Sequence, residues 1–290
     1  MYRSLLSVLL LGLFPAGDAI STDISTLDKV HIAPSSEAIE LVDRLSASGV
    51  VIFDAASGQR LYAKQARVQR PMASLTKLMT ALIIVENHDL NEIVTVPKSV
   101  LDVTGNKAYL PPGKHFDVGD LLSALLINSA NDAAVTLAQF HSGSVSAFVG
   151  EMNTRALQLG MTGTSFRNPA GLDHPAHWST PQDIAWLTMF SLRYEEIASR
   201  MSSAGQRIAS NEGDSIQLYH THALLHEVGP VMAGKTGTTS DAGQCLVSVV
   251  EGVDQSYIVV IFNSNQRYED MRTILSALET DPEPVARIEP

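Results

Sequence analysis

The sequence predicts an α/β fold of the α+β type, in which one antiparallel sheet is flanked by helices and joined to an all-helical subdomain. Two observations carry this prediction. Strand-like runs occur near both ends of the chain, at 50–53 and 60–62 and again at 247–250 and 258–262. The block from about 117 to 202 has helical periodicity instead. Strands from both ends that enclose helices are typical of a single sheet with an inserted helical unit.

The first elements of this pattern are a hairpin and a helix. β-branched and aromatic residues predict the strands at 50–53 and 60–62, and Ser57-Gly58 marks the turn between them. Apolar residues then recur at helical spacing from Leu75 to Ile83. We therefore expect a helix with one buried face that begins at Ser74, just after a proline.

The middle block contains its own start and stop signals. Asp117 and Asp120 occupy the positions of an N-cap and of the third residue of a helix, and Gly160 follows a periodic run. Thr180-Pro181 predicts another helix start. Beyond about 205 the β-branched runs return, and an amphipathic pattern predicts a last helix over about 267–279.

Composition excludes several classes of protein. The 290 residues are 45% hydrophobic and 18% charged, which is enough apolar material for a folded core. The formal charge of −11 and the lack of any Lys/Arg cluster argue against a nucleic-acid partner. Cys245 is the single cysteine, so the chain can form neither an intramolecular disulfide nor a cysteine zinc site.

The N-terminal residues predict export. Arg3 precedes an apolar run of about ten residues that ends near Phe14, and small residues follow at Ala16 and Ala19. Such a run is shorter than the ~20 residues that a membrane-spanning helix needs. We expect residues 1–19 to be a cleaved signal peptide and residues 20–290 to be a mature protein without a stable membrane anchor, in the periplasm or another extracytoplasmic space.

Three short motifs carry the chemistry, and their order and context matter more than each motif alone. The first opens the predicted helix, the second lies between two predicted helices and the third leads into the strand-rich end of the chain. The motifs are Ser74-Leu75-Thr76-Lys77, Ser129-Ala130-Asn131 and Lys235-Thr236-Gly237.

The first motif predicts an activated nucleophile. Residues three apart on a helix lie on one face, so the Lys77 amine can reach the Ser74 hydroxyl. Lys77 can act as a base only if its pKa falls well below the ordinary lysine value, which burial and a second cation can cause. Lys235 is the candidate for that cation, and it could also bind a substrate carboxylate.

The other two motifs predict the opposite walls of a cleft. We expect the Ser129 hydroxyl to pass a proton to the leaving amine and the Asn131 amide to hold the substrate backbone. Gly237 would allow a substrate strand to approach the sheet edge, and the hydroxyls of Thr236 and Thr238 would bind its carboxylate. The backbone N–H groups of Ser74 and Thr238 would form an oxyanion hole.

Four segments closely resemble blocks of the low-molecular-mass penicillin-binding proteins, the serine-type D-alanyl-D-alanine carboxypeptidases. They are RPMASLTKLMT at 70–80, INSANDAA at 127–134, NPAGLD at 168–173, and KTGTT with AGQCLV at 235–247. The resemblance covers about residues 49–262 and implies a fold like that of serine β-lactamases and transpeptidases. It also implies cleavage of the terminal D-alanine from peptidoglycan stem peptides through an acyl-enzyme on Ser74, acylation of that serine by β-lactam antibiotics, and no cofactor.

Three alternatives stay open at this point. We expect no C-terminal β domain of the kind that many relatives carry, and in this the sequence resembles shorter members of the family with D,D-endopeptidase activity. A class A-like β-lactamase would need a glutamate-bearing loop, and 165–169 has no glutamate. A non-catalytic sensor of stem peptides would not need every catalytic position, yet all are intact.

Two further groups of residues receive default interpretations. The nine histidines include His174, His177, His220, His222 and His226, but no His-Glu-x-x-His motif occurs, so we expect turn or surface histidines and no metal site. Cys245 is expected to be a small buried strand residue, and Asp173 either shapes the cleft or caps a turn.

Overall fold

The computed structural model describes residues 44–252 and 255–279, and its centre is a five-stranded antiparallel sheet. The strand order is β2-β1-β9-β8-β7. These strands are β1 (Gly49–Asp54), β2 (Arg60–Lys64), β7 (Val231–Thr239), β8 (Gly243–Glu251) and β9 (Ser256–Ser264). The two ends of the chain meet where β1 pairs with β9, from Gly49 opposite Phe262 to Asp54 opposite Tyr257. The predicted sheet is confirmed.

Both faces of the sheet are buried at its central strands, which explains why β1 and most of β9 are continuous apolar runs. In β1, Val51 and Phe53 face the larger part of the core, whereas Val50 and Ile52 face the other side. The last helix, Arg267–Glu279, covers that second face with Met271 and Ile274. Burial of alternate residues on opposite faces leaves the strand no polar side.

Six further α-helices among the described residues pack on the first face of the sheet, around the larger part of the core. They are α1 (Lys77–Asn87), α2 (Val118–Leu126), α3 (Asn131–Ser142), α4 (Val145–Gln158), α5 (Pro181–Ser191) and α6 (Glu195–Met201), and the last helix is α7 (Arg267–Glu279). Every residue of α1 from Lys77 to Ile84 is buried, and α2 to α6 all contact it. The predicted start at Thr180-Pro181 is confirmed, because the Thr180 side chain accepts the N–H of Asp183. The division of the chain into a domain with an inserted helical subdomain stays a prediction.

The start of α1 differs from the prediction. Ser74 lies in a turn of 3-10 helix, Ala73–Thr76, and the α-helix begins only at Lys77. The side chains of Ser74 and Lys77 are nevertheless close together, because side chains three residues apart are eclipsed in a 3-10 turn. Asp117 does precede α2, but its side chain makes no capping hydrogen bond.

Two small hairpins were not predicted. One consists of β3 (Ile93–Thr95) and β4 (His115–Asp117), and the other of β5 (Gly205–Ala209) and β6 (Ser215–Tyr219). Their strands are three to five residues long and bury one residue each, such as Val94 in β3. That is too short a pattern to distinguish from a loop.

The predicted signal peptide at 1–19 lies outside the described residues. Within 44–252 and 255–279, no helix combines the length and the hydrophobicity that crossing a bilayer requires.

Candidate active site

A chain of hydrogen bonds through Thr76 and His177 stabilises the turn that carries Ser74. The Thr76 hydroxyl donates to the carbonyl of Ala73 (2.8 Å) and lies 2.8 Å from Nε2 of His177. Nδ1 of His177 accepts the backbone N–H of Arg167 at 2.9 Å, so the ring proton is on Nε2 and is donated to Thr76. Burial lowers the pKa of His177 to about 4, which keeps this ring neutral near pH 7.

Lys77 occupies the centre of the site. Its side chain is completely buried, and Nζ lies 2.9 Å from Ser74 Oγ, 2.7 Å from Asn131 Oδ1 and 2.6 Å from the carbonyl oxygen of Ala170. An ammonium group has three N–H donors, and these three acceptors account for all of them. The predicted contact between the amine and the serine hydroxyl is present.

Two causes act together on the pKa of Lys77. Desolvation by burial is the larger, and the positive charge of Lys235 is the second. The negative charge of Asp132 opposes them, but the net effect holds the pKa of Lys77 well below its usual range. A neutral amine beside a serine hydroxyl is a base for that hydroxyl.

A loop before α5 supplies one of the acceptors for Lys77. The Asn168 side chain organises this loop by accepting the backbone N–H groups of Ala170 (3.2 Å), Gly171 (2.7 Å) and Leu172 (3.0 Å). Gly171 has a φ of +87°, and a Cβ there would lie 2.0 Å from the carbonyl oxygen of Ala73. The loop therefore packs directly against the turn that carries the serine.

Ser129 and Asn131 lie where α2 gives way to α3, as predicted. Ser129 has a φ of +61°, which is uncommon for a residue with a side chain, and Asn131 is the first residue of α3. Besides contacting Lys77, the Asn131 amide donates one N–H to the carbonyl of Thr104 (2.7 Å). An amide nitrogen has two donors, so one remains for a substrate group.

Lys235 is buried in β7 and reaches across to the second motif. Its Nζ donates to Ser129 Oγ (2.7 Å) and to the carbonyl of Thr236 (3.0 Å). Burial, with a smaller contribution from Arg267, lowers the pKa of Lys235 to about 7. Because the side chain is 0% exposed, its charge would reach a substrate carboxylate chiefly through Ser129 and Thr236.

Gly237 brings the edge strand against the serine turn. A Cβ at this position would lie 2.8 Å from the backbone nitrogen of Ser74 and 2.9 Å from Cβ of Ala73. Gly237 therefore allows a close approach to the protein's own turn, and the expected approach of a substrate strand stays a prediction. It places β7, with Thr238 as the next residue, beside the Ser74 N–H.

Two residues that support the site, Arg267 and Asp132, lie outside the three motifs. Arg267, at the start of α7, donates to the carbonyls of Gly237 (2.9 Å) and Cys245 (3.0 Å) and so supports the edge strand. Asp132 accepts the N–H groups of Ala108 (3.1 Å) and Leu110 (3.0 Å), which holds the loop before β4 against α3. A sequence pattern could not reveal these contacts, because the partners are distant along the chain.

The histidines were expected in turns or at the surface; His177 and His222 do lie in turns, closed by the bonds from His177 N–H to the carbonyl of His174 (2.8 Å) and from Leu225 N–H to the carbonyl of His222 (3.1 Å), but three of the histidines are not at the surface. His177, His220 and His222 are 3%, 4% and 0% exposed, so none of them is a surface residue. Burial lowers the pKa of both His220 and His222 to about 3. Cys245 is buried in β8 as expected, and the Asp173 carboxylate accepts the N–H of Asp241 at 3.3 Å.

Comparisons with known proteins agree with this geometry. The profile of the D-alanyl-D-alanine carboxypeptidase family matches residues 35–266. The D-alanyl-D-alanine carboxypeptidase DacF of Bacillus subtilis is 30% identical over 270 residues, which cover 90% of this chain and 69% of the relative. A D-alanyl-D-alanine endopeptidase of Pseudomonas aeruginosa is 29% identical over 230 residues, with coverage of 77% and 74%. The chain spans 56% of the length of a third relative, the D-alanyl-D-alanine carboxypeptidase DacC of Escherichia coli.

Solved structures are similar as well. A Streptomyces DD-transpeptidase superposes with a TM-score of 0.75 at 26% identity, over 80% of this chain and 97% of its own. A D-alanyl-D-alanine carboxypeptidase of Mycobacterium tuberculosis superposes with the same TM-score and identity, over 80% and 90%. The family profile covers most of the chain and hydrogen bonds join the three motifs at one site, so the chain belongs to the D-alanyl-D-alanine carboxypeptidase family.

Proposed function

We propose that this protein is a serine-type D-alanyl-D-alanine carboxypeptidase that acts on peptidoglycan stem peptides through an acyl-enzyme on Ser74. The observation that supports this most strongly is the buried amine of Lys77, with its lowered pKa, 2.9 Å from the Ser74 hydroxyl. When the amine is neutral, Asn131 and Ala170 occupy its two N–H groups. Its lone pair is then directed at the serine proton.

The acylation step follows from this arrangement. Lys77 takes the proton of Ser74 while Oγ forms a bond to the carbonyl carbon of the penultimate D-alanine. The oxygen of the tetrahedral intermediate is held by the N–H groups of Ser74 and Thr238. When the intermediate collapses, the C–N bond breaks and Ser129 gives its proton to the departing amine of the terminal D-alanine.

Release of the product restores the protein. Lys235, whose Nζ lies 2.7 Å from Ser129 Oγ, returns a proton to Ser129, and the proton that Lys77 took from Ser74 replaces the one that Lys235 lost, so Lys77 is neutral again. Water then attacks the ester on Ser74 with Lys77 as base, which frees the shortened peptide and the serine hydroxyl. β-Lactam antibiotics would acylate the same oxygen, with slow hydrolysis because the chain has no glutamate at 165–169.

The test combines a product assay with location of the adduct. Purified protein should release D-alanine from a pentapeptide, and Ser74→Ala should release none. Mass spectrometry after incubation with a penicillin should place one adduct on the peptide that contains Ser74. Absence of D-alanine release by the wild-type protein would contradict the proposal, and rapid turnover of penicillin would favour a β-lactamase.

D,D-endopeptidase activity is the second candidate, because endopeptidases of Pseudomonas aeruginosa and Escherichia coli match this chain over 74% and 78% of their lengths. The two activities differ in what lies on the leaving side of the bond. Digestion of purified peptidoglycan separates them: loss of pentapeptides before cross-linked dimers supports the carboxypeptidase, and the reverse order supports the endopeptidase.

The proposed substrate lies outside the cytoplasm, which agrees with the export signal predicted at 1–19. We expect the mature protein in the periplasmic or another extracytoplasmic fraction. N-terminal sequencing of the protein from that fraction should begin after Ala16 or Ala19, and an intact Met1 there would contradict cleavage.

A further inference from the structure

Thr221 connects the two walls of the cleft. Its hydroxyl oxygen lies 2.6 Å from the hydroxyl oxygen of Thr236 in β7. Its backbone N–H donates to the carbonyl of Ile127 (3.2 Å), two residues before Ser129, and its carbonyl accepts the Tyr268 hydroxyl (3.2 Å). Thr221 belongs to none of the three motifs, yet it contacts the elements that carry two of them.

The segment around Thr221 is rigidly held. The N–H of His220 donates to the carbonyl of Ala204 (2.9 Å), and the N–H of His222 donates to Nδ1 of His220 (3.0 Å). Nε2 of the fully buried His222 lies 2.8 Å from the Ser248 hydroxyl. A Cβ at Gly234 would lie 2.4 Å from the ring of His222, so the ring is packed directly against β7. The backbone on both sides of Thr221 is therefore anchored, which places its side chain next to Thr236.

The two hydroxyls share one hydrogen bond, and its direction matters. Each hydroxyl has a single proton to donate. If Thr236 donates to Thr221, no proton of Thr236 remains for a ligand. If Thr221 donates to Thr236, the Thr236 proton is free for an anion, and the two bonds polarise each other in the same direction. The buried ammonium of Lys235, 3.0 Å from the carbonyl of Thr236, makes this region favourable for an anion.

We infer that Thr221 is a positioning residue for the C-terminal carboxylate of the substrate: it donates its hydroxyl proton to Thr236, which directs the Thr236 proton at that carboxylate. The inference rests on the proposed function and on the sequence-based prediction that the Thr236 hydroxyl binds the substrate carboxylate. Thr221 thereby contributes to selection of peptides whose cleaved end is a free acid over those whose end is neutral.

The test compares two substrates and two substitutions. The substrates are an N-acylated peptide ending in D-alanyl-D-alanine and the same peptide with a C-terminal amide. Thr221→Val keeps the shape but removes the hydroxyl, and we expect kcat/KM for the acid to fall about tenfold, the upper end of what one hydrogen bond between neutral groups contributes. The amide should change less than twofold. Thr221→Ser keeps a hydroxyl and should stay within twofold of wild type for both substrates.

A double-mutant cycle shows whether Thr221 acts through Thr236. In a Thr236→Val background, Thr221→Val should cost less than twofold on the acid, because the proton it orients is already gone. Full additivity of the two losses would overturn the inference. Equal losses on the acid and the amide would also overturn it, since they would indicate a purely structural role.

Folding and the proposed function are controlled separately. Thermal denaturation verifies that each variant is folded, and Thr221→Ala replaces Thr221→Val if the valine variant does not fold. If the wild type releases neither D-alanine from the acid nor D-alaninamide from the amide, the proposed function fails, but the inference is still tested by acylation with a penicillin and with its carboxylate methyl ester. Thr221→Val should slow acylation by the free-acid penicillin but not acylation by the ester. Equal effects on the two acylation rates would refute the inference.

Discussion

Gly237 provides a demanding test of how the cleft is assembled. A Cβ added there would lie 2.8 Å from the Ser74 nitrogen, 2.9 Å from Cβ of Ala73 and 3.2 Å from the carbonyl oxygen of Met72. Non-bonded carbon atoms prefer separations of about 3.5 to 4.0 Å, so Gly237→Ala requires a movement of roughly 1 Å between β7 and the turn. Gly171 also packs against this turn, at the carbonyl of Ala73, so the turn is already tightly surrounded.

The expected loss is large in activity and modest in stability. A displacement of about 1 Å between catalytic groups costs on the order of 10²-fold in rate. Loss of one oxyanion-hole donor costs about 10²–10³-fold. We therefore expect Gly237→Ala to lower the second-order rate constant for acylation by a penicillin by about 10²-fold or more. Overpacking of this kind destabilises a fold by about 1–3 kcal/mol, so the variant should remain folded at 25 °C.

The assay follows the acylated fraction over time by intact-protein mass spectrometry, with stability measured by chemical denaturation. Gly150→Ala is the matched control, because Gly150 lies within α4 and a Cβ there would have nothing within 4 Å. The control should acylate at the wild-type rate and gain up to about 1 kcal/mol in stability, since alanine is the better helix former. Acylation of Gly237→Ala within threefold of wild type would refute the reasoning.

Three further predictions concern single residues. kcat/KM should fall as pH passes about 7, where Lys235 loses its charge. Lys235→Arg should move that fall upward by more than one pH unit in the pH–rate profile, whereas the exposed Lys98→Arg should not. Asn168→Ala leaves three backbone N–H groups of the loop without their acceptor. It should lower the unfolding free energy by about 1–3 kcal/mol in denaturant titrations and slow acylation by a penicillin. Asn211→Ala, at an exposed position, should do neither. Ser144→Ala removes the N-cap of α4, whose hydroxyl accepts the N–H of Ala147 at 3.1 Å. It should lower the unfolding free energy by about 1 kcal/mol in calorimetry and leave the acylation rate unchanged. Ser144→Asp keeps a capping oxygen and should preserve stability.

Each of these three predictions has a contrary result. An unchanged alkaline limb in Lys235→Arg would show that another group titrates there. Wild-type acylation by a destabilised Asn168→Ala would show that the loop does not position Lys77. A slower Ser144→Ala would mean that the start of α4 is coupled to the cleft.

Much of the fold could be predicted because its signals are local. The strands at 50–53 and 258–262 are long apolar runs, and the cap at Thr180 acts within one helical turn. The start of α1 was misplaced by three residues, since a 3-10 turn and an α-helix have the same pattern over so short a stretch. The sequence did not predict the two small hairpins, because each of their strands buries only one residue and so has no detectable pattern.

The candidate site divides in the same way. Spacing alone predicted the contact of Ser74 with Lys77, because residues three apart are neighbours on any helical turn. It could not predict that Lys77 would also contact Asn131 and the carbonyl of Ala170, which are 54 and 93 residues away along the chain. It also gave no sign of Arg267, whose partners are backbone carbonyls and therefore leave no mark on residue type.

By itself, the sequence determined which side chains are present, in what order, and on which local elements they lie. It therefore determined the class of chemistry available, a serine with an amine one turn away. Only the tertiary structure decided that this amine is buried beside a second buried ammonium, which is what lowers its pKa. The physical reason is that desolvation and charge proximity depend on distances between segments that are far apart in the chain, and no pattern along the chain encodes those distances.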